Sequence, residues 1–159
     1  MKRVISLVLV ALIAVAVLAG CGGGSVEAGK AVDLNAVLDK INSENNLSLE
    51  KVTEGKMLNR YYGIDENDVK QFAVEMDKSD PNAPVEIVLI EAKDATAAEN
   101  INKALETKYN SVLSTYTSYT PEKVDMVKAC KVTKDGNFLS LIIAENAAAM
   151  VKTFQDSIK

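Results

Sequence analysis

Two thiols and five phenols are the groups here whose types could do chemistry beyond that of a solvated surface. Histidine is absent, which removes imidazole-bound zinc, Ser-His-Asp triads and Cys-His pairs together. Reactivity would have to come from carboxylates, Lys, Tyr, Ser or a borrowed metal. Cys21 closes a long apolar run, whereas Cys130 falls where a strand is expected. A reactive thiol needs exposure and a cationic setting. Lys128 and Lys131 are close to Cys130 in sequence but fall on different faces or at its edge, so Cys130 reads as a small buried hydrophobe. Tyr61, Tyr62, Tyr116 and Tyr119 are four of the five tyrosines. If the segments carrying them meet, Tyr62 and Tyr119 form a binding patch, because Tyr offers large contact area and a hydroxyl. Tyr61 and Tyr116 then belong to the core.

The acidic residues yield no motif. Asp65-Glu66-Asn67-Asp68 is the densest cluster, but a calcium loop needs further oxygen ligands, Gly at its sixth position and Glu at its twelfth. Counted from Asp65, the fifth, sixth and twelfth positions hold Val69, Lys70 and Met76, so the cluster reads as a capping turn. Gly22-Gly23-Gly24-Ser25 lacks a preceding strand and a closing Gly-Lys-Ser/Thr, so it is no phosphate loop. Glycoside chemistry by paired carboxylates depends on their separation in space. No metal or cofactor is expected.

The leader sets the compartment. Lys2 and Arg3 precede Val4 to Leu18, a run with no charge. That run is short of the roughly 20 residues needed to cross a bilayer and matches a signal-peptide core. Leu18-Ala19-Gly20-Cys21 resembles the bacterial lipobox: an aliphatic residue, two small residues, then Cys. The resemblance implies cleavage between Gly20 and Cys21 and a diacylglyceryl group, with palmitate-type chains, on the Cys21 sulfur. Two acyl chains hold a protein stably on a membrane where one does not. The expected location is the extracytoplasmic side of the cell membrane of a Gram-positive bacterium, attached through lipid on Cys21.

The expected organisation is a signal peptide at 1–20, a lipidated Cys and Gly/Ser-rich tether at 21–31, and one domain at 32–159. Of 18 Lys+Arg, Lys2 and Arg3 leave with the leader, so 16 face 22 Asp+Glu and the mature net charge is −6. Such a chain is a poor nucleic-acid partner, since phosphate contacts need clustered Lys and Arg. About 125 residues suffice for one core without staples.

Asp33 can cap a first helix carrying Leu34, Val37, Leu38 and Ile41. Thr53 to Tyr62 reads as a second helix stopped by Gly63. Gln71 to Met76 alternates as a half-buried strand, and Val85 to Ala92 is apolar on both faces, hence central. Asp94 begins the longest helix, whose stripe runs Ala98, Ile101, Leu105, Tyr109, Val112 and Tyr116 and stops at Thr120-Pro121. Strand character resumes from Lys128, Asp135-Gly136 signals a hairpin, Phe138 to Ala144 is a second central strand, and Asn146 can cap a last helix. The expectation is an α+β fold: a four-stranded antiparallel sheet from two ββα units, helices on one face, and N-terminal helices before it.

The domain resembles the family of domain of unknown function 4358. The likeness rests on Tyr61-Tyr62-Gly63-Ile64-Asp65, on Val85-Glu86-Ile87-Val88 leading to Lys93, on the helix ending Tyr119-Thr120-Pro121, and on Asp135-Gly136-Asn137-Phe138. It implies a small lipoprotein and carries no activity. The expected role is a binding or adaptor module for an envelope protein, peptide or glycan. The alternative is a cell-envelope hydrolase using carboxylates.

Overall fold

The strand Glu86–Ala92 is buried at every position, and a strand can be dry on both sides only when both faces of its sheet are covered. The structure, a computed structural model, describes residues 31–77, 79 and 85–159. The leader, Gly20, Cys21 and the tether up to residue 30 lie outside the described residues. The elements run α1 (Leu34–Asn45), β1 (Glu50–Val52), α2 (Lys56–Tyr62), β2 (Val69–Met76), β3 (Glu86–Ala92), α3 (Ala95–Tyr119), α4 (Val124–Ala129), β4 (Val132–Asp135), β5 (Phe138–Ile143) and α5 (Ala147–Ser157).

The strands form one antiparallel sheet in the order β1-β2-β3-β5-β4. Two hairpins, β2-β3 and β4-β5, abut through their second strands, and each leads on to a helix, so the two ββα units are present. The expected four strands are five. β1 pairs Glu50 with Met76 and Val52 with Val74 at the sheet edge. Three residues are too few to show alternation, which hides such a strand in the sequence.

The expected placement of helices on one face is also corrected. Along β3 side chains alternate. Glu86, on one face, bonds Tyr62 of α2 and Lys108 of α3. Glu91, five residues on and therefore on the other face, bonds Gln71, whose amide holds the start of α1. α5 packs beside α1, and Thr153 donates to Glu44 across that contact. The sheet thus has α2 and α3 on one side and α1 and α5 on the other. Two covered faces explain why β3 and β5 are apolar in both directions.

Local chemistry fixes the joints. Asp33 Oδ1 accepts from the Asn35 and Ala36 N–H groups at 2.9 and 3.4 Å and starts α1. Asp94 Oδ1 accepts from Ala97 N at 2.8 Å and starts α3. Gly63 at φ 69° ends α2, and Gly136 at φ 57° turns the β4-β5 hairpin, both conformations that glycine adopts without strain. The strand expected from Lys128 begins instead at Val132, after α4. Pro121 opens a 3-10 turn that leads into α4, and Val127 and Cys130, three apart, turn inward as helical spacing requires. Among the described residues, every buried hydrophobic lies between Leu34 and Phe154.

Candidate functional site

Three glutamates lie inside the sheet: Glu75 and Glu86 at 1 % exposure and Glu91 at 8 %. A carboxylate is tolerated there only with donors and a cation in reach. β2 and β3 supply the three carboxyls, and the helices and neighbouring strands supply their partners.

Glu86 begins β3. Tyr62, at the end of α2, donates its hydroxyl to Glu86 Oε2 at 3.1 Å. Lys108, midway along α3, places Nζ 3.3 Å from Glu86 Oε1 and 5.4 Å from the Tyr62 ring centroid. The second contact is an ion pair without hydrogen-bond alignment, for Oε1 is buried with no hydrogen-bond partner. Burial pushes the Glu86 carboxyl above its ordinary range, against the opposing pull of the Lys108 charge and the Tyr62 hydrogen bond. Burial first, then the Glu86 charge, drives the Tyr62 phenol far above its usual value, so it remains a donor. Tyr61 meets the Tyr62 ring edge-on at 6.3 Å.

Glu91 lies near the other end of β3, across from Gln71. A bulge between Val69 and Gln71 leaves Lys70 without a partner in the register. Lys70 Nζ donates to Glu91 Oε1 at 2.6 Å and Gln71 Nε2 to Oε2 at 2.6 Å. Gln71 Nε2 also donates to Val32 O at 2.7 Å, while its Oε1 accepts from Leu34 N at 3.1 Å. The carboxamide thus treats residues 32–34 as a neighbouring strand would. Beside it opens a cleft of about 740 Å³, in the range of small-ligand sites. Val32, Val37, Phe138 and Ile158 give it apolar walls, and Lys40, Lys70 and Lys159 also line it.

Glu75 shares the Glu91 face. Asn42 Nδ2 donates to its Oε2 at 2.6 Å, and Lys51 Nζ is 3.9 Å from its Oε1. Lys51 bonds Asp39 more closely, at 2.8 Å.

The residues singled out from the sequence fare differently. Cys21 and Gly20 lie outside the described residues. Tyr62 is 4 % exposed and Tyr119 is 70 % exposed. A ring buried against Glu86 cannot lend surface to a patch with Tyr119, and the expected pairing is not formed. Cys130 is buried between α4 and β4, with Sγ 3.4 Å from Met126 O, and burial raises its thiol. Asp65 Oδ1 caps its own turn through Asn67 N at 2.9 Å. Among the described residues no group of three or more Cys, Asp or Glu could hold a metal ion. Among the described residues two carboxylates line the cleft, Asp33 and Glu91; Glu91 has both oxygens bonded, whereas the exposed Asp33 is bonded through Oδ1.

The buried glutamates were missed in the sequence because Glu in a strand reads as its wet side. A signal existed: a segment apolar on both faces, bounded by Glu86 and Glu91, leaves neither carboxylate facing water.

No curated protein and no solved structure matches the chain. A family match spans residues 42–144, more than half of the 159 residues, and takes in Glu75, Glu86 and Glu91 but leaves the start of α1 and all of α5 outside. On that match the chain belongs to the family described as Domain of unknown function (DUF4358).

Proposed function

We propose that this chain is a lipoprotein, anchored through lipid on Cys21 to the extracytoplasmic side of a bacterial cell membrane, whose domain is a binding or adaptor module. The attachment is supported by the Leu18-Ala19-Gly20-Cys21 sequence behind a basic, apolar leader. Among the described residues no helix is long and apolar enough to cross a membrane.

The observation that carries the binding role is the state of the cleft. Asp33 caps α1, and Glu91 has both oxygens engaged by Lys70 and Gln71. General acid-base catalysis needs a carboxyl within reach of substrate and able to change its proton. Apolar walls beside a carboxylate whose two oxygens are both bonded, with Asp33 serving as a helix cap, suit retention of a ligand better than turnover. A cell-envelope hydrolase working through carboxylates is therefore the weaker reading.

Attachment is tested by detergent-phase partition of the wild type against Cys21→Ala, with mass spectrometry of the mature N-terminus. The expected result is a chain beginning at a diacylglyceryl Cys21 and a variant that leaves the detergent phase. Equal partition, or an unmodified sulfur, removes the anchor. Release of fragments from purified peptidoglycan by the isolated domain would overturn the binding role in favour of the hydrolase.

A further inference from the structure

We propose that the cleft between the start of α1, the β2 bulge and the end of α5 docks the phosphate-bearing headgroup of an anionic membrane phospholipid. The source of the lipid rests on the anchored reading above; the chemistry of the cleft does not. Three separate elements bring an amine to the cleft: Lys40 from α1, Lys70 from the bulge, and Lys159 from beyond α5. Their side chains are 54 %, 64 % and 68 % exposed; Lys70 is bonded to Glu91 at 2.6 Å, which leaves Lys40 and Lys159 to meet an incoming phosphate. Lys40 and Lys159 are held only loosely, 4.0 Å from Glu44 and 3.6 Å from Asp156. Exposed pairs of this kind contribute little and exchange partners readily. Of the carboxylates lining the cleft among the described residues, Glu91 has both oxygens bonded by Lys70 and Gln71, and Asp33 has Oδ1 bonded by backbone N–H groups.

The position of the cleft agrees with that occupant. Ala31, the first described residue, is itself part of the lining. About ten residues of sequence separate Cys21 from Ala31, so an anchored domain presents this end to the headgroup layer. The chain as a whole is acidic, at net −4 with its leader, and is repelled by an anionic bilayer elsewhere. A cluster of lysines beside the tether gives it one face that is not. Val32, Val37, Phe138 and Ile158 then meet the glycerol and the first methylenes.

The test uses the chain from Gly22 onward, which carries no lipid and retains every core residue described. It is floated with unilamellar vesicles of phosphatidylglycerol in phosphatidylcholine, and with phosphatidylcholine alone. Binding is expected only to the anionic vesicles, with release at high salt. The double variant Lys40→Ala, Lys159→Ala should weaken it about 25-fold, near fivefold per lysine at an anionic surface. Lys70 is left in place because its ammonium is already bonded to Glu91. The control pair Lys103→Ala, Lys128→Ala, on α3 and α4, should bind as the wild type does, with circular dichroism confirming that all variants fold. Absence of flotation, equal binding to phosphatidylcholine, or an equal loss in the control pair overturns the proposal. Detergent partition of the native protein reads the anchor separately, so failure of one experiment does not carry over to the other.

Discussion

Glu86 and Glu91 stand five residues apart on β3, on opposite faces, and the difference between them lies in how replaceable their partners are. Glu86 is sealed between sheet and helices, with one oxygen bonded by Tyr62 and the other held only by the Lys108 charge. Lys108 is itself mostly covered, its side chain 24 % exposed. Glu91 has both oxygens hydrogen-bonded, and its cation Lys70 is 64 % exposed beside an open cleft. The first arrangement joins α2, β3 and α3 around a carboxylate that is 1 % exposed. The second joins β2, β3 and the start of α1 and borders a site where a ligand could enter. One strand thus carries a structural carboxylate at one end and a carboxylate beside a binding cleft near the other.

The sharpest way to break the contrast is Lys108→Met. It leaves Glu86 buried without its cation and should cost about 3 kcal/mol at neutral pH in urea unfolding. The loss should shrink in acid, where Glu86 can take a proton and no longer needs the charge. A loss no larger than that of an exposed lysine would erase the distinction between the two ends.

Gln71→Ala comes next. It removes the bonds to Val32 O and Leu34 N and one donor to Glu91, for a cost of about 1–2 kcal/mol. Amide hydrogen exchange at Leu34 should quicken well before the rest of the sheet. Uniform loss of protection would show that the clasp is not local.

Glu86→Gln should cost less than Lys108→Met at pH 7, under about 2 kcal/mol, because the lysine it leaves unpaired is 24 % exposed and can turn to water while Gln keeps an acceptor for Tyr62. The larger signature is in pH. The folded Glu86 carboxyl titrates above its ordinary value of 4.5. Below 4.5 folded and unfolded chains both hold the proton, and between 4.5 and the raised value only the folded chain does. Wild-type stability should therefore fall as pH rises through that window, and the difference between wild type and Glu86→Gln unfolding curves should show it. An unchanged difference would mean that Glu86 is not buried as described.

The smallest effect should come from Lys70→Ala, under about 1 kcal/mol, since an exposed lysine is easily replaced by water and Gln71 keeps its bond. Parity with Lys108→Met would collapse the comparison.

Much of this frame was legible in the sequence. Asp33, Gly63, Asp94 and Gly136 mark joints by their own chemistry, and the structure uses each as expected. β3 and β5 were readable as central because they are apolar in both directions. That property also implied helices on both faces, a step that the ββα pattern alone did not suggest. β1 was too short to announce itself. α4 was obscured because a six-residue helix carrying Val124, Met126 and Val127 looks like the start of a strand. The candidate site was hardly legible: its residues are far apart in the chain, and Val32, Gln71 and Glu91 meet only because β2 lies between β3 and the start of α1. Tyr62 was expected to offer contact outward with Tyr119, whereas its hydroxyl points inward to Glu86.

The Gln71 clasp has a mechanical consequence. Tension applied at Ala31 does not first unwind α1. It is delivered at Val32 and Leu34, through one carboxamide, to β2 at Gln71, where the strand is paired with Glu91 of β3. A load arriving there passes to β3, the middle strand of the sheet, instead of peeling a helix from its end, so the domain should keep its shape while it is pulled at Ala31.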